Sequence, residues 1–468
     1  NSVAQGYQGY RTRGLDSSRS RNFFTLGGRA VPDEMAFVDR IEDSRGPNSV
    51  MSGIAQPGGT INTGTKQAGM SGSFQRGSVM FGSHDSKRAT LDLNRPFGKN
   101  LAVRLNLVYN DNHSFRNFEH QEHLRGQLAA TYRFSDRTRV RFEFERGQLE
   151  TNQPTGDTLR DSMLAWLASG RPATATQTAI ANTTRINQNN RRVTFIGNDN
   201  TVVAMRGTLA TSGTGHSIAD ERLVDHSVNW GGGAQNRFSR FGILSAFFEH
   251  QLGKNTFLEF GYNHSEQSFD NRDPRVNRQL LFGDPNQRLN GPGDVLNGGA
   301  ANPHVGQLFI ESNWFRTVRW DQTDTYRGQL SHESDFKRWG NYQIAGVAEY
   351  EKRFFLSRTF RELWVDANTG AAPFNAVPDN ALNNVFRRTY VTEGDWDSFA
   401  LTGPVGSGGL LSNVRDAVSG RTLSSAWLRQ GAPNESYIKQ KSGMVVTQAR
   451  YFNKRLILMG GLRRDEYD

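Results

Sequence analysis

Residues Leu101–Asn110 read LAVRLNLVYN, and apolar and polar side chains alternate along this stretch. In an extended chain, successive side chains point to opposite faces, so the apolar residues share one face and the polar residues share the other. The apolar face carries Leu101, Val103, Leu105, Leu107 and Tyr109, and the polar face carries Arg104, Asn106 and Asn110. A period of two predicts a β-strand, and helical spacing does not fit this stretch.

The same alternation recurs along most of the chain. Thr138–Gln148 reads TRVRFEFERGQ, with Val140, Phe142 and Phe144 set between charged residues. Alternation of this kind predicts about eleven strands, near residues 72–83, 85–95, 101–111, 121–134, 138–148, 237–252, 254–268, 320–336, 341–356, 436–452 and 454–466.

The connections between these strands alternate in length. Short turns such as FSDRTR (Phe134–Arg139) and LGKN (Leu252–Asn255) join one end of the strands. The other ends are joined by long polar segments, at about residues 149–236, 269–319 and 357–435. Short turns on one side and long loops on the other are typical of outer-membrane β-barrels, where the long loops are extracellular.

Composition agrees with a membrane barrel. Only 35% of the 468 residues are hydrophobic and the mean hydropathy is -0.65, yet aromatic residues reach 11%. No stretch approaches 18 consecutive apolar residues, but a transmembrane strand needs only about 9–11 residues with every second one apolar. A soluble sandwich or propeller is also built from alternating strands, but no blade-like period recurs here. We therefore predict an all-β fold, a transmembrane antiparallel β-barrel.

The barrel is expected to be incomplete in this chain. Bacterial barrels usually close with an even number of strands, and the chain stops inside a strand, at GGLRRDEYD (460–468). It begins with NSVAQGYQGY, without an initiator Met or the basic and apolar regions of a signal peptide. We interpret the sequence as part of a longer protein.

Charge and cysteine content exclude several classes of function. The net charge is +10, but Lys and Arg are dispersed and form no basic block, so nucleic acid is not an expected partner. The chain has no Cys, which excludes disulfides, thiolate metal sites and thiol catalysis.

Residues 1–70 lack the paired long strands and contain three turn-rich motifs. These are TRGLDSSRSRNFFTLGG (Thr12–Gly28), VDRIEDSRGPNSVMSG (Val38–Gly53) and QPGGTINTGTKQA (Gln56–Ala68). Their glycines permit positive φ and close backbone approach, and their prolines fix turns and block edge pairing. Such chemistry suits a compact insert.

The three motifs, in this order and followed at once by alternating strands, resemble the plug of TonB-dependent outer-membrane receptors, most closely the siderophore receptors. Val38–Gly53 is similar to the family pattern V-x-R-I-E-V-x-[RK]-G-P-x-S-x-L-Y-G, although Asp43 and Ser44 stand where the family prefers apolar residues. Gln56–Ala68 is similar to x-P-G-G-x-I-N-x-x-T-K. The resemblance implies the C-terminal part of a plug domain at 1–70, inside the lumen of a barrel at 71–468. It also implies that the TonB box and the first half of the plug precede Asn1.

The resemblance assigns two sets of site residues. The plug motif and gating set is Arg13, Gly14, Arg40, Glu42, Arg45, Gly46, Pro47, Gly53, Pro57, Gly58, Gly59 and Asn62. In the family, arginines matching Arg13 and Arg45 pair with glutamates of the barrel wall, and their partners here are left open. The ligand-binding candidates, from the turn Ser17–Arg21 and its surroundings, are Arg19, Arg21, Phe23, Phe24 and Arg29. Arg and aromatic side chains suit bulky, often anionic chelates. For Arg40, Glu42 and Arg45 the alternative is a solvated strand face, and for Arg29 it is an ordinary polar loop.

The implied function is TonB-dependent import of a scarce solute across the outer membrane of a Gram-negative-type bacterium. A ferric siderophore is the first choice of solute, and an oligosaccharide, cobalamin or another metal chelate are the alternatives. The implied partners are the TonB complex of the inner membrane, the solute, and outer-membrane lipid and lipopolysaccharide. No cofactor is expected.

An enzyme and a passive porin are the competing classes. His120 and His123, in the sequence EHQEH, superficially suggest a metal site, but side chains three apart on a strand face opposite sides. No hydrolase, metalloprotease or P-loop motif is present, so neither a catalytic nor a metal site is expected. A passive porin has no separate plug, which the glycine- and proline-rich series at 38–62 opposes.

Overall fold

The structure is a computed structural model. It describes residues 10–12, 15–25, 33–44, 59–152, 160–161, 164–168, 170–173, 185–188, 194–196, 201–203, 208–211, 217–218, 225, 227–229, 231–289, 298–336, 340–378, 380–395, 409–416, 420–452 and 455–468.

A small sheet at the N-terminus, here called the plug sheet, contains five strands. They are β1 (Tyr10–Thr12), β2 (Leu15–Arg21), β3 (Phe24–Thr25), β4 (Val38–Ser44) and β5 (Thr60–Thr65). The strand order is β1-β2-β5-β4, with β3 folded back on β2. Strands β2 and β5 run parallel, and the other pairs are antiparallel. A 3-10 turn at Met35–Phe37 leads into β4.

The rest of the chain builds a large sheet. Its strands are β6 (Phe74–Phe81), β7 (Lys87–Phe97), β8 (Leu101–His113), β9 (His120–Ser135), β10 (Thr138–Asn152), β11 (Arg160–Asp161), β12 (Arg185–Gln188), β13 (Thr194–Ile196), β14 (Thr201–Val203), β15 (Thr208–Thr211), β16 (Ser217–Ile218), β17 (Asn236–Gln251), β18 (Thr256–Gly283), β19 (Leu308–Asp335), β20 (Asn341–Asp366), β21 (Phe386–Tyr390), β22 (Val414–Arg415), β23 (Thr422–Arg429), β24 (Asn434–Tyr451) and β25 (Leu456–Tyr467). One short helix, α1, spans Leu164–Ala168, and 3-10 turns lie at Gly232–Ala234 and Ala381–Asn383.

Eleven long strands form the wall: β6 to β10, β17 to β20, β24 and β25. Each pairs antiparallel with the next in chain order. These are the strands that the alternation predicts, and the predicted all-β fold, an antiparallel barrel wall with a plug, is confirmed. The wall is not closed: in the described part of the chain, no backbone pairing joins β6 to β25.

The polarity of the wall is inverted relative to a soluble protein. On the outer face, Leu107 and Leu128 are 39% and 41% exposed, whereas on the inner face Asn106 and Gln127 are 1% and 2% exposed. Tyr262, Tyr326 and Tyr350 lie side by side on the outer face, with ring centroids 5.0 and 6.5 Å apart. An outward apolar band bordered by aromatic residues is the surface that a bilayer requires. No helix within the described ranges has the length and apolar character to cross a membrane.

Three wall strands are longer than their alternation predicts. The segments 269–319 and 357–435 were expected to be loops, yet β18 continues to Gly283, β19 begins at Leu308 and β20 continues to Asp366. Here the strands rise beyond the apolar band, so neither face has to alternate. At Leu308, Phe309 and Ile310 both faces are buried, because β21 pairs with this end of β19.

The loop ends of the strands are themselves packed. Trp364, Val385 and Leu423 form a buried apolar cluster. Beside it, the buried Arg388 donates to Glu311 at 3.1 Å and lies 3.4 Å from Asp284. The wall therefore has buried, packed side chains above the apolar band as well.

We expect a charge on the outer face to oppose membrane insertion only within the apolar band. Leu128→Arg in the full-length protein should lower the free energy of folding into lipid vesicles by about 2–4 kcal/mol, because the guanidinium would face hydrocarbon. Urea titration of vesicle-inserted protein measures this. The control, Gln148→Arg, lies on the same outer face two strand rows beyond the apolar residue Phe144 and should cost little. Equal losses for the two variants would contradict the assignment of the band.

Candidate functional site

The plug sheet carries a tight hairpin between β2 and β3. Arg21 pairs with Phe24 across a two-residue turn, and we call Arg21–Phe24 the hairpin tip. Both turn residues have positive φ, 49° at Asn22 and 65° at Phe23. Asn tolerates this left-handed conformation, but a bulky Phe rarely adopts it, so surrounding contacts must hold the turn.

Asn62 on β5 supplies the first of these contacts. Its Oδ1 accepts hydrogen bonds from the Phe23 backbone N–H at 2.8 Å and the Ser20 hydroxyl at 3.0 Å. Its Nδ2 donates to Glu42 on β4 at 3.0 Å. Asn62, which the motif I-N-x-x-T-K singles out, therefore ties the hairpin tip to two other strands of the plug sheet.

Arg21 ties the hairpin tip to the wall. Its Nη1 donates to Glu145 on β10 at 2.6 Å, and its Nη2 lies 3.4 Å from Asp33 of the plug. Arg125 on β9 donates to the other oxygen of Glu145, from Nη2 at 2.5 Å. The side chains of Arg21, Arg125 and Glu145 are at most 4% exposed. Removing one partner of such a buried pair costs about 3–5 kcal/mol, because the other charge is left uncompensated.

Asn22 binds Glu143, the inward-facing residue next to Glu145 on β10. Its Nδ2 donates to Glu143 at 3.1 Å and to the hydroxyl of Thr65 at 2.8 Å, and the Thr65 hydroxyl also donates to Glu143. Glu143 and Glu145 both face inward because they are two residues apart on β10. The hairpin tip thus spans two adjacent wall carboxylates.

Phe24 enters a notch in the wall. It is 1% exposed, and its ring centroid lies 5.6 Å from that of Phe247 on β17. The floor of the notch is Gly261 on β18, where a Cβ atom would come within 2.8 Å of the Phe24 ring. Glycine is therefore the residue that permits Phe24 to seat at this depth.

Phe23 touches a fourth wall strand. Its backbone carbonyl accepts a hydrogen bond from Nη1 of Arg327 on β19 at 3.1 Å, and the Arg327 guanidinium lies 5.5 Å from its ring. Four consecutive residues of the plug therefore contact β10, β17, β18 and β19, which is why we regard the hairpin tip as the candidate functional site.

A second group of polar contacts continues along the wall on either side of the hairpin tip. Glu34 accepts from Arg88 on β7 and lies 3.0 Å from Nε2 of His123 on β9. Nearer the short turns, Lys66 donates to Asp92 at 2.9 Å, and Arg104 donates to the same carboxylate at 2.8 Å. The plug is therefore joined to the wall mainly by charges and hydrogen bonds.

Two acidic residues of the plug, Asp33 and Glu34, are held ionised. Burial alone would raise the pKa of Asp33, but the Arg19 and Arg21 guanidinium groups outweigh it and keep that pKa below its ordinary value. Burial likewise opposes ionisation of Glu34, and hydrogen bonds from His123 and Arg88 lower its pKa. Since both pKa values are depressed, these carboxylates stabilise the docked plug at neutral pH, and they lose that contribution progressively as the pH falls below the ordinary carboxyl pKa toward the depressed one.

The structure places the predicted plug residues unevenly. Arg40 and Glu42 pair with each other at 2.7 Å on an exposed part of β4, and Gly59 has the positive φ, 103°, that its turn requires. Arg13, Gly14, Arg29, Arg45, Gly46, Pro47, Gly53, Pro57 and Gly58 lie outside the described residues. The gating role of the whole set stays a prediction.

The ligand-binding candidates mostly serve the docking of the plug. Arg19 pairs with Asp33 at 2.5 Å, Arg21 pairs with Glu145, and Phe24 is buried in its notch. Phe23 keeps 49% of its surface exposed. In this conformation a solute could reach Phe23 but not Arg21 or Phe24, and the binding role of the set also stays a prediction.

The histidines of EHQEH separate as strand geometry predicts. His120 stacks on His113, with ring centroids 5.7 Å apart, whereas His123 faces the plug and contacts Glu34. No group of three or more metal-binding side chains lies close together among the described residues. His123 is not a solvated strand end, because it faces inward and meets the plug.

Sequence reasoning missed the wall residues that hold the hairpin tip. Glu145, Gly261 and Arg327 each lie on a strand that was predicted, and their inward orientation follows from alternation. Alternation does not predict where along the strands these residues meet the plug, because that depends on how the separate plug sheet is placed inside the wall.

Comparisons with known proteins relate the chain to one class of receptor. It is 32% identical over 146 residues to the probable TonB-dependent siderophore receptor PiuA of Acinetobacter baumannii, a match covering 31% of this chain and 19% of PiuA. It is 39% identical over 90 residues to the metal-pseudopaline receptor CntO of Pseudomonas aeruginosa, covering 19% of this chain and 12% of CntO. These matches therefore span less than a fifth of either curated relative. No family model matches the chain.

Solved structures support the fold. The ferric preacinetobactin receptor BauA of Acinetobacter baumannii superposes with a TM-score of 0.59 at 12% identity, over 99% of this chain and 52% of BauA. The pyoverdine receptor FpvA of Pseudomonas aeruginosa gives 0.59 at 13% identity, over 98% of this chain and 51% of FpvA. The predicted resemblance to TonB-dependent siderophore receptors is confirmed, as is the expected location in the outer membrane of a Gram-negative-type bacterium.

We expect the notch at Gly261 to control the seating of the plug. Gly261→Val in the full-length protein should displace Phe24, because the first added carbon already approaches its ring to 2.8 Å. The displaced plug should make cells more permeable to bulky antibiotics, which growth inhibition measures. Gly253→Ala, at a glycine with no atom within 4 Å of an added Cβ, is the control. Unchanged permeability in Gly261→Val would contradict the notch.

We expect the buried pair Arg21–Glu145 to respond asymmetrically to mutation. Glu145→Gln leaves Arg125 without its carboxylate and Arg21 with only Asp33 at 3.4 Å, whereas Arg21→Met leaves Glu145 still bonded to Arg125. The first change should destabilise the docked hairpin by about 3–5 kcal/mol and the second by less. Hydrogen exchange of β2 and β3, followed by mass spectrometry, measures both. Glu249→Gln is the matched control, since Glu249 also accepts from two arginines but without a contact to the described part of the plug. A larger effect for Arg21→Met would refute the shared pair.

Proposed function

We propose that this chain, a relative of TonB-dependent siderophore receptors, is part of an outer-membrane receptor that imports a metal chelate, with a ferric siderophore as the first candidate. The observation that carries the proposal is the hairpin tip, through which four consecutive plug residues contact four wall strands. A plug fixed in this way closes the lumen at rest and must move for a solute to pass.

The character of the contacts suits a plug that moves. Ion pairs and hydrogen bonds such as Arg21–Glu145 and Asn22–Glu143 can be exchanged for bonds to water when the plug shifts. An apolar interface of the same size would expose hydrophobic surface each time. The left-handed Phe23 adds local strain, which is released when the turn leaves Asn62 and Arg327. Energy supplied through TonB would drive this step, and the TonB complex is accordingly the proposed inner-membrane partner.

The chemistry of the inner wall above the hairpin tip supports a chelate. The Arg319 guanidinium lies 4.3 Å from the ring centroid of Phe355, and that of Arg237 lies 4.4 Å from Phe269. Arginine stacked on an aromatic ring presents both charge and a flat apolar surface, which a ferric siderophore can use. PiuA, CntO, BauA and FpvA are each named as receptors for siderophores or metal chelates, so an oligosaccharide or cobalamin is not favoured.

The proposal also covers the membrane around the barrel and the competing classes of protein. The outward apolar band would contact outer-membrane lipid, with lipopolysaccharide at the end that carries the long loops. A passive porin is opposed by the plug sheet, and the relatives are transport receptors and not enzymes. Nucleic acid has no part in the proposal.

Uptake of labelled ferric siderophores by cells with and without the full-length protein tests the proposal. We expect uptake to require both the protein and an energised inner membrane, so that an uncoupler abolishes it. Binding and uptake that persist with the uncoupler would reject TonB dependence. Failure to take up any member of a broad siderophore panel would favour another solute.

A further inference from the structure

Directly above the notch, on the loop side, the inner wall presents buried polar atoms without partners. Asn263, Gln267, Thr323 and Thr325 are between 0% and 8% exposed. Among the described residues, no hydrogen bond reaches Oδ1 of Asn263, Oε1 of Gln267 or the hydroxyls of Thr323 and Thr325. We call these four residues the polar panel.

Strand register fixes the place of the panel. Asn263 on β18 pairs with Thr325 on β19, one inward row above the pair Gly261–Arg327 that contacts the hairpin tip. Gln267 lies two rows higher, and the pair Phe269–Arg319 lies above it. Successive inward rows are about 6–7 Å apart, since each residue rises by about 3.3 Å. The panel therefore fills the wall between the hairpin tip and the Arg–Phe surface, which is formed by Arg237, Phe269, Arg319 and Phe355.

Charged residues surround the panel. Arg327 lies below it and Arg319 above it, and Asp321, which accepts from Arg319 at 2.7 Å, pairs in register with Gln267. On the neighbouring strand β20, Glu351 pairs in register with Thr325 and Arg353 with Thr323. The four panel residues themselves are neutral, and they offer two amide oxygens that only accept hydrogen bonds and two hydroxyls that donate and accept.

A wall whose inner side chains served only stability would not be expected to leave neighbouring buried polar atoms without hydrogen bonds. An unsatisfied buried polar atom costs roughly as much as a lost hydrogen bond, and such atoms are few in native proteins. Open atoms also occur elsewhere on the inner face, as at Oδ1 of Asn106, but the panel groups four of them on two adjacent strands. Even within the panel, Asn263 uses its Nδ2 to bond Ser245 at 2.9 Å while its oxygen stays unbonded. The open oxygens are therefore suited to a group that arrives from outside.

We propose that Asn263, Gln267, Thr323 and Thr325 form a transit subsite for a solute rich in hydrogen-bond donors, such as a metal chelate bearing amide or hydroxyl groups. The subsite is uncovered when the hairpin tip withdraws from its notch. It passes the solute from the Arg–Phe surface past Arg327 toward the short-turn end of the wall. This inference rests on the proposed function and adds to it a path along β18 and β19.

Uptake and stability together test the subsite. The triple variant Asn263→Leu, Thr323→Val and Thr325→Val removes open polar atoms while keeping similar volumes. In the full-length protein we expect energised uptake of radiolabelled ferric trihydroxamate or ferric tricatecholate chelate to fall about five-fold or more. Binding of the same chelate to uncoupled cells and the thermal stability of the purified protein should be unchanged or improved. A purely structural role predicts the reverse, a loss of stability that accounts for the loss of uptake.

The matched control is Asn106→Leu, which removes an open oxygen outside the panel and breaks the hydrogen bond to Gln127 on the inner face of β8 and β9. It should lower stability by leaving Gln127 unpaired, without the selective loss of uptake. If the wild type imports no member of the broad siderophore panel, the proposed function fails, and the inference fails with it. If the wild type imports a chelate and the triple variant imports it equally well, the transit subsite alone is refuted.

Accessibility provides a second readout, because the 468 residues of this chain contain no Cys. Thr323→Cys is 1% exposed in the docked state and should resist a membrane-impermeant maleimide in uncoupled cells. We expect labelling during energised import of the same chelates. Labelling that is equally fast in uncoupled cells, or that is absent during import, would overturn the proposed path.

Discussion

The inverted polarity of the wall is the constraint on which the rest of the structure depends. A bilayer accepts only apolar side chains on the outer face, and a period of two then places the polar residues of every strand on the inner face. Those inner side chains still need hydrogen-bond partners, since burying them unpaired is costly. The plug sheet meets this need along β7 to β10, and so its wall-facing residues are also polar. A plug with an apolar surface would leave Glu145 and Arg125 without their third member, Arg21.

Many polar contacts dock the plug to the wall, and each contributes little net free energy. Buried ion pairs gain little over apolar packing of equal volume, but losing one partner is expensive. Glu145 illustrates this, because it accepts from one arginine of the wall and one of the plug. When the plug moves away, Arg125 still compensates Glu145, and Asp33 travels with Arg19 and Arg21. The Arg125–Glu145 pair therefore stays neutral in the wall, so withdrawal of Arg21 leaves no isolated charge there. Arg88, in contrast, loses its carboxylate partner Glu34.

The sequence predicted the wall better than the site. Alternation in LAVRLNLVYN and TRVRFEFERGQ locates strands to within a few residues at their short-turn ends, because the apolar band forces the pattern there. The pattern fades above the band, which is why 269–283 and 308–319 were taken for loops. The plug turn was expected within Ser17–Arg21 but lies at Asn22–Phe23, one residue beyond it. Without a glycine, nothing local marks a left-handed pair, and the contacts that hold it come from Asn62 and Arg327, 39 and 304 residues away.

Two inward glycines explain how such distant contacts are brought into register. At Gly147 a Cβ atom would come within 2.6 Å of the Phe241 ring and 2.8 Å of the Arg125 side chain, so glycine there lets Arg125 lie flat and reach Glu145. At Gly261 the same absence of a side chain admits Phe24. One glycine therefore shapes the wall side of the ion pair, and the other fixes the depth at which the plug residue beside Arg21 is seated. Because Arg21 and Phe24 face each other across a two-residue turn, fixing the depth of one fixes the reach of the other. The Arg21–Glu145 pair and the notch at Gly261 therefore act together. Neither alone would hold the left-handed turn against Arg327.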